Sequence, residues 1–170
     1  AGIIGGLFHV INHALVKVTL FLAAGIFSKK IKAVTISDLK GLAYKTPIMA
    51  FMFTIASLII IGLPPFNVFI SKWLIAKAAI KSGFIIPGGS ILIGSILALT
   101  YYLKVIKLIY TREEEVSLLT IDWKLKLPVI TLSITCLIIG IVPGFILNIL
   151  EQGVVYLLDT QLYYQILFAG

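Results

Sequence analysis

Three ionisable side chains recur at four-residue intervals near the start of the sequence, inside an otherwise apolar stretch. They are His9, His13 and Lys17, within GLFHVINHALVKVTLFLAAG at residues 6–25. On an α-helix each step of four residues advances a side chain by about 40° beyond a full turn, so the three form a row about 12 Å long. Histidine changes charge near neutral pH, and a lysine held away from water releases its proton more readily than one in solution. The row therefore predicts a path for protons, with water filling the gaps.

Other interpretations of this row stay open. Two histidines four residues apart can ligate a metal ion, but no Asp, Glu or Cys among residues 1–37 could complete that site, so we predict no metal. The histidines could instead satisfy hydrogen bonds between packed helices. Lys17 could extend to the membrane surface, although the apolar run continues beyond it to Phe27, which argues against this alternative.

The composition is that of a membrane protein. Hydrophobic residues make up 60% of the 170 residues and charged residues only 12%, whereas soluble domains average about 45–50% apolar. The apolar runs are too long for a soluble core of this size, which predicts an all-α integral membrane protein. The net charge of +7 could indicate nucleic-acid binding. We predict no such partner, because most basic residues fall in short loops between apolar runs, as in oriented membrane proteins.

We predict about four transmembrane spans in a single helical unit. The chain starts almost inside a helix without an initiator methionine, so we expect a fragment of a longer protein or one piece of a split one. The predicted segments, in chain order, are a span at 3–27, a basic loop at 28–47, a broken span at 48–84, a span at 89–110, a charged loop at 111–126, a span at 127–147 and a short tail helix at 151–170.

Gly62, Pro64 and Pro65 interrupt the apolar run at 48–84, and Pro65 must break any helix there. If this region crosses the membrane once, ten basic residues share one side and two lie on the other; two crossings would divide them seven to five. The bias favours one discontinuous span with the basic loops cytoplasmic. Discontinuous helices recur at ion sites in transporters, and we expect Lys72 deep in this span. The ten residues are Lys29, Lys30, Lys32, Lys40, Lys45, Lys104, Lys107, Arg112, Lys124 and Lys126, and the two are Lys77 and Lys81.

Three sequence motifs occur in order along the chain. The pattern F-H-x-x-x-H-A-x-x-K-x-x-L-F-L-x-x-G begins at Phe8 and ends at Gly25. A D-L-x-G-L pattern follows at 38–42, and G-L-P-P-x-x-x-F-x-S-K runs from Gly62 to Lys72. These motifs resemble those of the antiporter-like subunits of respiratory complex I, Mrp-type cation/proton antiporters and membrane-bound hydrogenase-type complexes. The resemblance covers roughly residues 5–110 and implies the second of two inverted helical repeats.

The resemblance implies roles for four residues. Lys72 would act in the outward proton half-channel, and His9, His13 and Lys17 would connect it to a central lysine. The family's first repeat, with its Glu–Lys pair, has no counterpart here. No Asp or Glu lies inside the four predicted spans, so we expect another membrane subunit, or a part of the protein outside this sequence, to supply that pair.

We therefore predict a proton-translocating, or Na⁺/H⁺ antiporter-like, subunit of a redox-driven complex in a prokaryotic plasma membrane. We expect it to be non-catalytic itself and to bind no cofactor, because no iron–sulfur, haem or nucleotide motif is visible. Its expected partners are the bilayer and other membrane subunits. One alternative is a structural subunit whose polar row only satisfies hydrogen bonds between helices. Another is a stand-alone secondary transporter, which the scarcity of acidic residues and the short chain oppose.

Overall fold

Residues 2–113 and 117–158, the part of the chain that the computed structural model describes, fold into helices without any strand. The predicted all-α class is confirmed. A short 3-10 helix at Ile36–Leu39 precedes the second α-helix. The α-helices are α1 (Gly2–Ile31), α2 (Leu42–Lys45), α3 (Pro47–Ile61), α4 (Asn67–Lys81), α5 (Ile85–Ile109), α6 (Trp123–Ile141) and α7 (Gly144–Leu158).

Helices α1, α5 and α6 are each long and apolar enough to cross a membrane. Helix α1 has 30 residues, a length of about 45 Å, and packs against α3, α4, α6 and α7. Helix α5 lies at the periphery, where it contacts α3 and α4 and leaves most of its apolar surface exposed. Helices α3 and α7 are apolar but have only 15 residues each.

Helices α4 and α3 follow one another along α1, which runs antiparallel to both. Gly5 lies against Leu74 of α4, where an added Cβ would be 3.0 Å from the leucine Cβ. Further along α1, the rings of Phe27 and Phe53 of α3 meet edge to face with centroids 5.7 Å apart. The N-terminal half of α1 therefore packs on α4, and the C-terminal half packs on α3.

The interruption between α3 and α4 begins with a glycine cap. Gly62 adopts a left-handed conformation (φ 85°) that favours glycine, and its N–H donates to the carbonyl of Ile59 at 3.0 Å. The N–H of Leu63 donates to Leu58 O at 3.5 Å, which completes a Schellman motif. Pro64 and Pro65 follow, so the chain cannot resume a helix until Asn67.

The C-terminal helices differ from the predicted span at 127–147 and tail helix at 151–170. Helix α6 begins earlier, at Trp123, because the Asp122 carboxylate accepts a hydrogen bond from the Lys124 N–H at 3.1 Å and caps it. It ends at Ile141, and α7 begins at Gly144, because Pro143 cannot continue a helix but suits the start of one. Residues 159–170 of the predicted tail lie outside the described residues.

The two basic loops lie at the same end of the bundle. The Lys45 Nζ forms an ion pair with Glu113 at 2.6 Å, and the Leu119 N–H donates to Lys45 O at 2.9 Å. In the first loop, Asp38 accepts hydrogen bonds from the N–H groups of Val34 (2.8 Å) and Thr35 (2.7 Å), which lower the pKa of its carboxyl group. Residues 77–81, at the end of α4, lie at the opposite end beside the start of α1.

Candidate functional site

The polar row on α1 meets α4 through a serine. The rings of His9 and His13 stack with centroids 5.2 Å apart, and both residues are half-buried. The Nδ1 atom of His9 lies 2.9 Å from the Oγ atom of Ser71, which is fully buried and also within 2.9 Å of the Val68 carbonyl oxygen. Ser71 directly precedes Lys72, so this contact brings the α1 row to the helix that carries Lys72.

A buried pair of asparagines fixes the start of α4 against α1. Asn67 Nδ2 donates to Asn12 Oδ1 at 2.9 Å, and Asn12 Nδ2 donates to the backbone carbonyl of Asn67 at 3.3 Å. Asn67 Oδ1 accepts from the N–H of Val68 at 3.0 Å. Both side chains are fully buried, so their mutual bonds replace the water that they lose on folding. The pair sets the depth at which α4 begins along α1.

We expect Asn12→Ala to lower the free energy of unfolding by about 1–3 kcal/mol, because the buried Asn67 amide would lose its partner. The measurement is chemical or thermal unfolding of the complete chain in detergent. Asn148→Ala on α7 is the matched control, since Asn148 is exposed. Equal stability losses in the two variants would contradict a structural role for the pair.

Lys72 reaches from α4 to the end of α3. Its Nζ donates to the carbonyl of Ile61 at 2.9 Å, to the carbonyl of Ile60 at 3.4 Å and to the Oγ atom of Ser95 on α5 at 2.9 Å. These carbonyls are the two that the glycine cap leaves unpaired at the end of α3, where the helix dipole is negative. A Cβ atom on Gly62 would lie 3.0 Å from Lys72 Cδ, so the glycine also makes room for the lysine.

The predicted site residues do not all lie together. His9 and His13 lie on the α1 face beside α4, and Lys72 is half-buried at the turn formed by Gly62, Pro64 and Pro65. Lys17 is exposed at the far end of the row. Within residues 2–113 and 117–158, no group of three or more His, Cys, Asp or Glu side chains could hold a metal ion.

Sequence reasoning gave no role to the two serines that contact the site. Ser71 is part of the quoted family motif, but the motif alone does not show that it contacts His9. Nothing in the sequence distinguishes Ser95 from Ser90 and Thr100 on the same helix, whose hydroxyl groups donate to the carbonyls of Pro87 and Leu97. The side-chain partner of Lys72, Ser95, could be identified only from the packing of α5 on α3 and α4.

Residues 1–100 match the family model described as "NADH:quinone oxidoreductase/Mrp antiporter, TM". The chain belongs to this family. The resemblance read from the three motifs is confirmed, and the helical fold is that of membrane-embedded antiporter-like subunits.

The relatives are much longer than this chain. It is 36% identical over 168 residues to an uncharacterized protein of Methanocaldococcus jannaschii, a match that covers 92% of this chain and 35% of the relative. A chain of the archaeal membrane-bound sulfane sulfur reductase superimposes with a TM-score of 0.83 and 27% identity, over 89% of this chain and 31% of that one. A chain of the Mrp complex from Dietzia sp. shares the fold, with a TM-score of 0.85, 23% identity and coverage of 95% and 39%. The chain thus spans about a third of the length of these proteins.

Proposed function

We propose that this chain is the part of an ion-pumping membrane subunit in which protons, or Na⁺ exchanged for protons, pass the broken helix. The observation that carries the proposal is the position of Lys72. It lies at the α3–α4 interruption, and its neighbour Ser71 contacts His9, the first member of the α1 row. An ionisable group at membrane depth is costly and is generally retained for a function, and here it adjoins two more.

In this proposal Lys72 and Lys17 take up and release protons, and His9 and His13 relay them. The stacked histidines and the 2.9 Å contact between His9 and Ser71 supply closely spaced polar groups. Water would bridge the remaining gaps, as the sequence led us to expect. Lys17 lies at the exposed end of the row, where a proton can enter from, or leave to, a neighbouring part of the complex.

The proposed membrane topology treats α3 and α4 as one discontinuous span. Two observations support it: the helices lie end to end along α1, and the ion pair between Lys45 and Glu113 joins the two basic loops at one end of the bundle. By the bias of positive charge, that end is cytoplasmic, in the plasma membrane of a prokaryote.

The proposed partners are the other membrane subunits of the complex. One of them, or the remainder of this protein, supplies the first repeat with its Glu–Lys pair. The driving reaction takes place in a redox module elsewhere, and this chain is proposed to bind no cofactor. The family description and the superposition on a respiratory membrane complex support such an assembly.

A structural role is a second candidate, and the contacts of Lys72 favour it specifically. Its two bonds to Ile60 and Ile61 are those of a helix C-terminal cap, and a cap stabilises the α3–α4 turn whether or not protons move. In this case the subunit packs in the complex without conducting ions.

The first test is proton uptake by sealed vesicles that hold the assembled complex, normalised to redox turnover. We expect Lys72→Ala and Lys17→Ala each to lower uptake roughly a hundredfold while the complex still assembles, because each removes a proton carrier. Lys77→Ala is the matched control, a lysine on the same helix as Lys72 but exposed. Normal uptake per turnover in Lys72→Ala would overturn the proposed function, and normal uptake in Lys17→Ala alone would remove Lys17 from the proposed path.

A further inference from the structure

The three partners of the Lys72 amine differ in the hydrogen bonds they can make. A protonated lysine has three N–H groups and no acceptor, and three oxygens surround this one, from Ile60, Ile61 and Ser95. The charged form is therefore fully paired within the described residues.

The neutral form needs something else. A neutral amine has two N–H groups and one lone pair, so it requires two acceptors and one donor. The carbonyls of Ile60 and Ile61 can only accept, which leaves the Ser95 hydroxyl as the one of these three partners that can donate to the lone pair.

Ser95 can make that change at little cost. Its Oγ lies 3.2 Å from the carbonyl of Ile91, one turn earlier on α5, to which it donates when it accepts from Lys72. The Ile91 carbonyl already accepts the backbone N–H of residue 95 in the α-helix, so it stays paired when the hydroxyl turns away. Rotation about one bond brings the hydroxyl proton toward Lys72 Nζ.

We propose that Ser95 is a positioning residue that keeps Lys72 hydrogen-bonded in both protonation states by rotating its hydroxyl group. The inference rests on the proposed function, since it concerns how Lys72 releases its proton. The departing proton passes to water on the path, and Ser95 retains its own. Without the hydroxyl, the ammonium form loses one acceptor and the neutral amine loses its one donor, so the Lys72 amine is no longer held in place in either protonation state.

The test uses the complete subunit in its assembled complex, with proton uptake per redox turnover as the readout. We expect Ser95→Ala to lower uptake about tenfold, because the Lys72 amine loses one hydrogen bond in each protonation state and a displaced group transfers protons more slowly. Ser95→Thr, which keeps a hydroxyl group, should retain most of the proton uptake of the unmodified protein. Ser90→Ala is the matched control: the same change on the same helix, at an exposed serine whose hydroxyl group donates to Pro87 O. Lys72→Ala is measured in parallel.

The outcomes separate this inference from the function on which it rests. Loss in Ser95→Ala with recovery in Ser95→Thr supports the inference. Normal uptake in Ser95→Ala, with loss in Lys72→Ala, overturns the inference and leaves the proposed function standing. Equal losses in Ser95→Ala and Ser95→Thr overturn it in favour of a packing role. Normal uptake in Lys72→Ala overturns both. If Ser95→Ala fails to assemble, Ser95→Thr decides alone: normal uptake supports the hydroxyl role, and loss overturns it.

Discussion

Lys72→Arg should reduce ion translocation by roughly a hundredfold while leaving the α3–α4 turn formed. Arginine keeps the positive charge and several N–H donors, so it can still bond to the carbonyls of Ile60 and Ile61. It does not lose its proton in proteins, so it cannot act as a carrier, and removal of a proton-transfer group typically costs a factor of 10²–10⁴. The measurement is proton uptake per redox turnover in sealed vesicles.

This variant separates the two candidate functions more clearly than alanine does. Lys72→Ala removes both the cap and the carrier, whereas Lys72→Arg removes only the carrier. Lys77→Arg, at an exposed position on the same helix, controls for the larger side chain. Unchanged coupling in Lys72→Arg would establish that Lys72 only caps α3 and that the subunit is structural. Thermal unfolding of the variant in detergent checks that the cap is retained.

Gly140→Ala should destabilise the α3–α4 turn and with it the whole bundle. A Cβ at this position of α6 would lie 2.9 Å from the backbone N of Asn67, 3.1 Å from Pro65 O and 3.2 Å from Phe66 Cα. All three atoms belong to the main chain that leads into α4, so none can move aside as a flexible side chain could. We expect a loss of about 1–3 kcal/mol in the free energy of unfolding, the usual cost of overpacking.

The control is the same substitution at an exposed helical glycine. Gly94 on α5 has no neighbouring atom within 4 Å of an added Cβ, so Gly94→Ala should be neutral or stabilising by up to about 1 kcal/mol. Both variants are compared by chemical unfolding of the complete chain in detergent. Equal stability of the two would show that α6 does not hold the α3–α4 turn in place.

The sequence alone was sufficient for features that depend on local chemistry. A continuous apolar run predicted α1, and Gly62, Pro64 and Pro65 marked the residues where α3 ends, because proline and a left-handed glycine cannot extend a helix. Three motifs in order, at 8–25, 38–42 and 62–72, were together sufficient to recognise the family.

Features that depend on packing could not be predicted. Asn12 and Lys17 lie in the same apolar run of α1. Asn12 is buried and Lys17 is exposed because the other helices cover only one face of α1. The side-chain partner of Lys72 is Ser95 on α5, 23 residues further along the chain, and no sequence pattern around Ser95 indicates this contact. The start of α7 at Gly144 falls inside the segment predicted as one span at 127–147, because Pro143 cannot continue α6 but suits the start of a new helix.

Because Lys72 caps α3, the helical order of the last turn of α3 and the proton affinity of Lys72 depend on each other. The ammonium form binds the carbonyls of Ile60 and Ile61 more tightly than the neutral amine does, because charge-assisted hydrogen bonds are the stronger ones. Under the proposed function, thermodynamic reciprocity means that any displacement that unwinds this turn would favour loss of the proton from Lys72, and proton uptake by Lys72 would rewind the turn. A helix end would thereby convert mechanical displacement into proton release.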